Sequence, residues 1–321
     1  MNAPTALAFG VLALLLTGPV PALLSRAQWP FRSPRAALVL WQAIALAAVL
    51  SAFSSGLAIA SRLLVPGPDG RPTTEPMAEI DALGLPLWIL YVVVFGLTLL
   101  IGAKLIFSVV RVAVHTRRRR ARHRMLVDLL DRGDIDLSAT LKRLPDVRVL
   151  DATEPIAYCL PGLRQRVVLS EGTLNSLNDA EVTAILTHER SHLRARHDLV
   201  LEAFTAVHQA FPRVVRSKSA LGSVQLLVEL LADDSAVKVT GPGPLARALV
   251  TCAGSTAPRG AMAVGGPSTL VRVQRLSGAG ADRRVAAAAY LAAAAILVVP
   301  TIAVAVPWLV ELSRLFSPAQ P

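Results

Sequence analysis

His188 and His192 stand four residues apart in the run "LTHERSHLRARHD", with Glu189 beside the first of them, and these residue types at this spacing can hold and use a metal ion. On a helix, positions i and i+4 project from one face, so both imidazoles can reach a single ion. Neutral imidazole binds Zn²⁺ at about 2.0–2.1 Å, and an open coordination position admits water whose pKa falls to about 7. Glu189 would then take a proton from that water as it attacks a peptide carbonyl. A third ligand is needed. In "LLVELLADDSAV", Glu229 and Asp233 are again four apart, so both can face the first helix. Glu229 is the expected third ligand, and Asp233 is expected to hold a ligand histidine through its second ring nitrogen. Asp233 and Asp234 stand next in line as ligands, and a solvated acidic face is the competing reading. The apolar "LVELLA" setting favours the metal, one Zn²⁺ per chain.

The elements that must position these groups can be read outward from them. Asn178 followed by Glu181 is a capping-box start, and Val182, Ile185, Leu186 and Leu193 form an apolar stripe at helical spacing. Before this helix, "VRVLDA", "IAYCLPG" and "RVVLS" are short runs, rich in β-branched residues, that predict a small sheet. "RMLVDLLDRG" and "DLSATLKRL" have helical spacing, with a break expected at Gly133 and Asp134. Gly241 to Pro244 and Gly254 to Ser268 are expected to be loops, the second of them mobile.

This unit is set in a chain too apolar for a soluble domain: 321 residues, 53% hydrophobic, 17% charged, mean hydropathy +0.53. Four runs are long enough to cross a bilayer, at about 5–24, 36–60, 85–110 and 285–309, with Trp29, Trp88 and Trp308 near their ends. The first lacks the positive start of a signal peptide and is expected to be a retained helix. "RVAVHTRRRRARHR" after the third run belongs on the cytoplasmic side. Residues 1–114 are thus expected to hold three spans, 115–284 one cytoplasmic domain, 285–309 the fourth span and 310–321 a short outer tail, with both termini outside. Lys104, near the inner end of the third run, is expected to snorkel. The net charge of +11 follows the same basic loops, so no direct nucleic-acid partner is expected. Cys159 and Cys252 are too few for a disulfide framework and have no CxxC spacing.

The stretch from Ala157 to Val200, followed by "ELLAD", resembles the gluzincin core shared by membrane zinc peptidases and antibiotic-sensing transducers. The frame of three spans, domain and one span is most similar to the BlaR/MecR type in its short actinobacterial form. The fold class expected is therefore an α-helical membrane protein with four transmembrane helices and a mainly helical α+β cytoplasmic zinc-peptidase domain of the minigluzincin kind. The resemblance implies His188, His192 and Glu229 as zinc ligands, Glu189 as general base, and Asp233 supporting a ligand. It implies that the run Ala157 to Leu169, with Ala157, Cys159 and Val168 in contact, is an edge strand on which an extended substrate is laid.

It also implies a bacterial cell-membrane endopeptidase in regulated proteolysis, with membrane lipid around it and a protein substrate such as a BlaI-like transcriptional repressor. Two positions depart from the family pattern. Many relatives have aspartate where this chain has His197, with Asp198 one later, and no histidine follows His208 to stabilise an oxyanion. His197 is expected at a surface or helix end. The segment "ELSRLFSPAQP" after the last span has no room for a fold, so no penicillin-binding sensor is expected there and a stimulus is expected to come through the spans or a separate sensor partner. A membrane quality-control protease of the HtpX kind and an inactive signalling scaffold are the alternatives.

Overall fold

The computed structural model describes residues 3–63, 65–66, 72–73, 75–130, 145–162, 164–212, 218–253, 262–263, 268–278 and 282–316. Helices α1 (Ala3–Thr17), α2 (Pro19–Leu24), α3 (Trp29–Arg32) and α4 (Pro34–Ala60) come first. A short hairpin of β1 (Val65–Pro66) and β2 (Pro72–Thr73), then α5 (Pro76–Leu83), lead into α6 (Leu85–Leu130). Strands β3 (Val147–Leu150), β4 (Ala157–Leu160) and β5 (Arg166–Ser170) precede α7 (Glu171–Ser176), α8 (Asp179–Ala195), α9 (His197–Ala210), α10 (Lys218–Thr240) and α11 (Pro242–Thr251). Strand β6 (Met262–Ala263), α12 (Thr269–Leu276) and α13 (Arg283–Phe316) complete the chain.

Among the described residues, four helical stretches are long and apolar enough to cross a membrane: Ala6–Leu24, Pro34–Leu63, Leu85–Leu130 and Arg283–Ala303. The first is broken at Gly18, between α1 and α2, where Pro19 and Pro21 follow. Helices α1, α4 and α13 pack through small residues, Ala36, Ala43, Ala47 and Ala48 of α4 meeting Ala289 and Ala293 of α13. Such residues let helix backbones approach closely where lipid supplies no hydrophobic drive.

Helix α6 differs from the expectation of a span ending near residue 110 and a new helix after it. It runs unbroken for 46 residues, about 69 Å at 1.5 Å per residue against about 30 Å of hydrocarbon. Nothing between Val110 and Leu130 interrupts it, since neither glycine nor proline occurs there. The arginine block Arg117–Arg124 is therefore helical and stands beside the sheet. The expected break at Gly133 and the helix in Asp136–Leu144 lie outside the described residues.

The sheet order is β3-β5-β4-β6, with β3 parallel to β5 and the other pairs antiparallel. One face carries Val147, Ala157, Cys159, Val167 and Leu169, which pack with α8, α10 and α11 in the main core. The opposite face carries Tyr158, Leu160 and Val168 against Val127 of α6. Ala37, Leu38 and Trp41 of α4 enter the main core, with Trp29 and Phe31 against it. The domain expected at 115–284 thus shares its core with the N-terminal end of the second candidate span.

Candidate metal centre

Helix α8 begins where the sequence signals it. The Asn178 side chain accepts from the Glu181 backbone N–H, and Glu181 accepts from that of Asn178. Its apolar stripe faces the sheet and turns His188, Glu189 and His192 inward, all at most 1% exposed. Arg196 adopts the left-handed conformation, with φ of 49°, and this single residue swings the chain into α9.

Helix α10 crosses α8 and presents Glu229 and Asp233 one turn apart. His188 Nε2 is 3.1 Å from His192 Nε2 and 3.4 Å from Glu229 Oε2, while His192 Nε2 is 3.5 Å from Glu229 Oε1. Donors about 2.0–2.1 Å from a tetrahedral ion lie about 3.3–3.4 Å apart, so the spacing suits zinc. On the far side of the ring, His188 Nδ1 is 3.0 Å from Asp233 Oδ1, which leaves Nε2 as the nitrogen facing Glu229 and His192.

Arg272 of α12, 1% exposed, closes the cluster. Its Nε donates to Asp233 Oδ2 at 2.8 Å and its Nη2 to Asp233 Oδ1 at 2.5 Å, while Nη1 lies 3.1 Å from Glu229 Oε2. Glu189, Glu229 and Asp233 bring three carboxylates against this one guanidinium. A divalent cation between neutral histidines would balance them, and the donor set is the kind zinc takes. Glu189 is 0% exposed, and no N–H or O–H donor among the described residues reaches its carboxylate oxygens, the weak Cys159 thiol alone standing against them. Such a group is costly unless a reacting species supplies the partner.

Burial and neighbours set the charges. Burial pushes the Glu189 carboxyl up to about 7, with His188 opposing. Burial would lower His188, but hydrogen bonds to Asp233 and Glu229 outweigh it and raise the ring to about 9. Burial takes His192 down to about 3 and His197 down to about 4. Burial would raise Glu229 and Asp233, yet His192 and His188 around the first and Arg272 and His188 around the second hold both below the usual carboxylate range.

The substrate-strand residues stand differently from expectation. Strand β4 is interior, because Met262–Ala263 pair antiparallel with Tyr158 and Cys159 on the side away from β5. Ala157, Cys159 and Val168 are at most 2% exposed, and Val168 lies on the sheet face toward α6, opposite α8. Alternation along a strand puts neighbours on opposite faces, which the extended run alone does not reveal. The Cys159 thiol is pushed up by burial and by the charge of Glu189, so it sits as a neutral wall of the site. The rest of the loop expected at Gly254–Ser268 lies outside the described residues, Ser268 apart.

Two groups escaped the sequence reading. Arg272 lies outside the motif, on the short helix α12, where no ligand spacing marks it. His197, expected at a surface or helix end, does begin a helix but is 4% exposed, with Nδ1 3.0 Å from His192 Nδ1. Asp198 beside it accepts from Arg120 Nη1 of α6 at 3.0 Å, and Glu202 lies 2.7 Å from the same nitrogen. A cavity of about 920 Å³ lies elsewhere, among α1, α4, α6 and the ends of α9 and α10. Its lining is mostly apolar and contains none of His188, Glu189, His192 and Glu229.

The model of a protein family described as BlaR1 peptidase M56 matches residues 47–211, just over half of the chain. The match runs from α4 to the end of α9 and contains His188, Glu189 and His192. No curated protein and no solved structure matches the chain.

Proposed function

Since the chain belongs to the BlaR1 peptidase M56 family and is a membrane metallopeptidase of that type, we propose that it is a zinc endopeptidase acting on the cytoplasmic face in regulated proteolysis. The observation that carries this reading is the buried carboxylate of Glu189, without an N–H or O–H donor among the described residues, beside the convergent Nε2 atoms of His188 and His192 and the carboxylate of Glu229. His188, His192 and Glu229 would hold the ion. When bound, zinc supplies Lewis acidity that acidifies water and polarises a carbonyl. Glu189 accepts a proton from the attacking water, the peptide C–N bond breaks, and Glu189 returns the proton to the leaving amine. Burial raises its carboxyl in the ion-free site, which strengthens it as a base.

Arg120 and Arg124 of the basic block reach the peptidase unit through Asp198 and the Pro161 carbonyl, so the block and the metal site lie on the same end of α6. The positive-inside rule favours that end in the cytoplasm, with both termini outside. A cytoplasmic repressor of the BlaI kind is the proposed substrate, with a separate sensor as the proposed source of the stimulus.

The test compares the proteomes of cells carrying the intact chain and Glu189→Gln. Cleavage fragments of one soluble DNA-binding protein, present only with the intact chain, support the proposal. Fragments of many membrane proteins would favour quality control, and identical proteomes would favour an inactive scaffold.

A further inference from the structure

We propose that His197 is a positioning residue of the metal centre: its Nδ1 accepts the proton on His192 Nδ1 and holds His192 in the tautomer whose Nε2 faces the ion. The inference rests on the metallopeptidase reading of the same site. The two ring nitrogens of His192 are already distinguished, since Nε2 points at His188 Nε2 and Glu229 while Nδ1 points at His197 Nδ1, 3.0 Å away. An imidazole that ligates through Nε2 must carry its hydrogen on Nδ1. Across that contact one nitrogen must donate and the other accept, so His197 Nδ1 is bare and its own hydrogen is on Nε2.

The backbone is built to make this contact. Left-handed Arg196 turns the chain back within one residue, so the first side chain of α9 lands on the last turns of α8. Helix α9 is then held on α6 by Asp198 and Glu202 against Arg120, and by Ser108 Oγ donating to the Ala206 carbonyl at 2.7 Å. The rings of His192 and His197 have centroids 5.0 Å apart and planes at 82°, and with the two Nδ1 atoms 3.0 Å apart the nitrogens point at each other nearly in line, so the N–H of one meets the in-plane lone pair of the other.

The two ligand histidines are therefore supported unequally. His188 leans on the carboxylate of Asp233, an anion that makes its ring a stronger donor, whereas His192 leans on a neutral imidazole. The bland alternative is that His197 only fills space beneath α8, and it makes a different prediction. Asparagine at 197 can place its amide oxygen near the position of Nδ1 and accept the same hydrogen, although it is smaller than histidine. Leucine is close to asparagine in size and accepts nothing, and phenylalanine restores the ring without an acceptor.

The test measures zinc affinity of the full-length protein in lipid nanodiscs, by competition with a chromophoric chelator, for the intact chain and for His197→Asn, His197→Leu and His197→Phe. Thermal unfolding of each chelated variant reports packing separately. Losses of about 10–100-fold for leucine and phenylalanine, with asparagine within a few-fold of the intact chain, are expected. Affinity that follows ring volume, with phenylalanine retaining zinc and asparagine losing it, overturns the proposal. So does equal affinity in all four proteins. Failure of the intact chain to bind zinc at all would instead overturn the metallopeptidase reading, and this inference with it.

Discussion

Arg272 grips Asp233 through two parallel hydrogen bonds, Nε to Oδ2 at 2.8 Å and Nη2 to Oδ1 at 2.5 Å, with both side chains only 1% exposed. Asp233 in turn meets His188 Nδ1, so a residue just ahead of α13 fixes the orientation of a ligand ring on α8. Removing one partner of a buried ion pair leaves the other charged and dry, at a cost of about 3–5 kcal/mol. Arg272→Met should lower the unfolding free energy of the chelated protein by that order and reduce its zinc content. Lysine cannot reproduce a two-pronged contact, so Arg272→Lys should recover little of either. Recovery of both by lysine would mean that only the positive charge matters.

Glu189 and the ligands should separate cleanly by substitution. Glu189→Gln keeps His188, His192 and Glu229 in place, so zinc stoichiometry measured by atomic emission should stay at one. Peptide cleavage should fall by about 10²–10⁴-fold, as general-base losses do. His188→Ala and Glu229→Ala should instead lose the ion. A fully zinc-loaded Glu229→Ala would remove that residue from the ligand set.

How much of this was legible in the sequence follows from which signals are local. The His188, Glu189, His192 trio and the Asn178 cap are short-range patterns, and helix geometry alone turns them into a face. Glu229 and Asp233 were readable as a second face because they too are one turn apart. Arg272 carries no such local pattern; its role appears only when α12 folds back over α10. For the same reason the run Val271–Leu276, which lies between the peptidase unit and the fourth candidate span, contains a side chain that touches Glu229 and Asp233 without any local pattern to mark it. Replacing that whole run with a flexible linker would disturb the metal centre itself. The interior position of β4 was hidden because its partner β6 is two residues long and more than a hundred positions away.

Zinc uptake should release a proton and strengthen with pH. His188 is raised to about 9, so in the absence of an ion its ring is protonated at neutral pH, whereas a ligand ring must be neutral. His192, lowered to about 3, and Glu229, held below the usual range, are already in their ligand forms there. The raised pKa also means that the charged ring stabilises the ion-depleted fold below the ordinary histidine range, a contribution lost as pH rises through about 9. Apparent affinity should therefore fall about tenfold per unit as pH drops from 8 to 6. Calorimetry in buffers of different ionisation enthalpy should count about one proton released. Affinity independent of pH over that interval would contradict the Asp233–His188 pairing as the source of the shift.

Orientation in the membrane can be tested with thiols placed at described, exposed positions. The native Cys159 and Cys252 are both 0% exposed and should stay silent toward a charged maleimide while the protein is folded. Met77 on α5 is 72% exposed between the second and third candidate spans, and Leu129 near the end of α6 is 69% exposed beside the sheet. About 30 Å of hydrocarbon separates the two faces, and α6 is long enough to place these sites on opposite sides. With the arginine block held inside, Met77→Cys should label in intact cells, and Leu129→Cys should label only after the membrane is permeabilised. The reverse pattern would put His188, His192 and Glu229 on the outer face, and a cytoplasmic repressor could then no longer be the substrate.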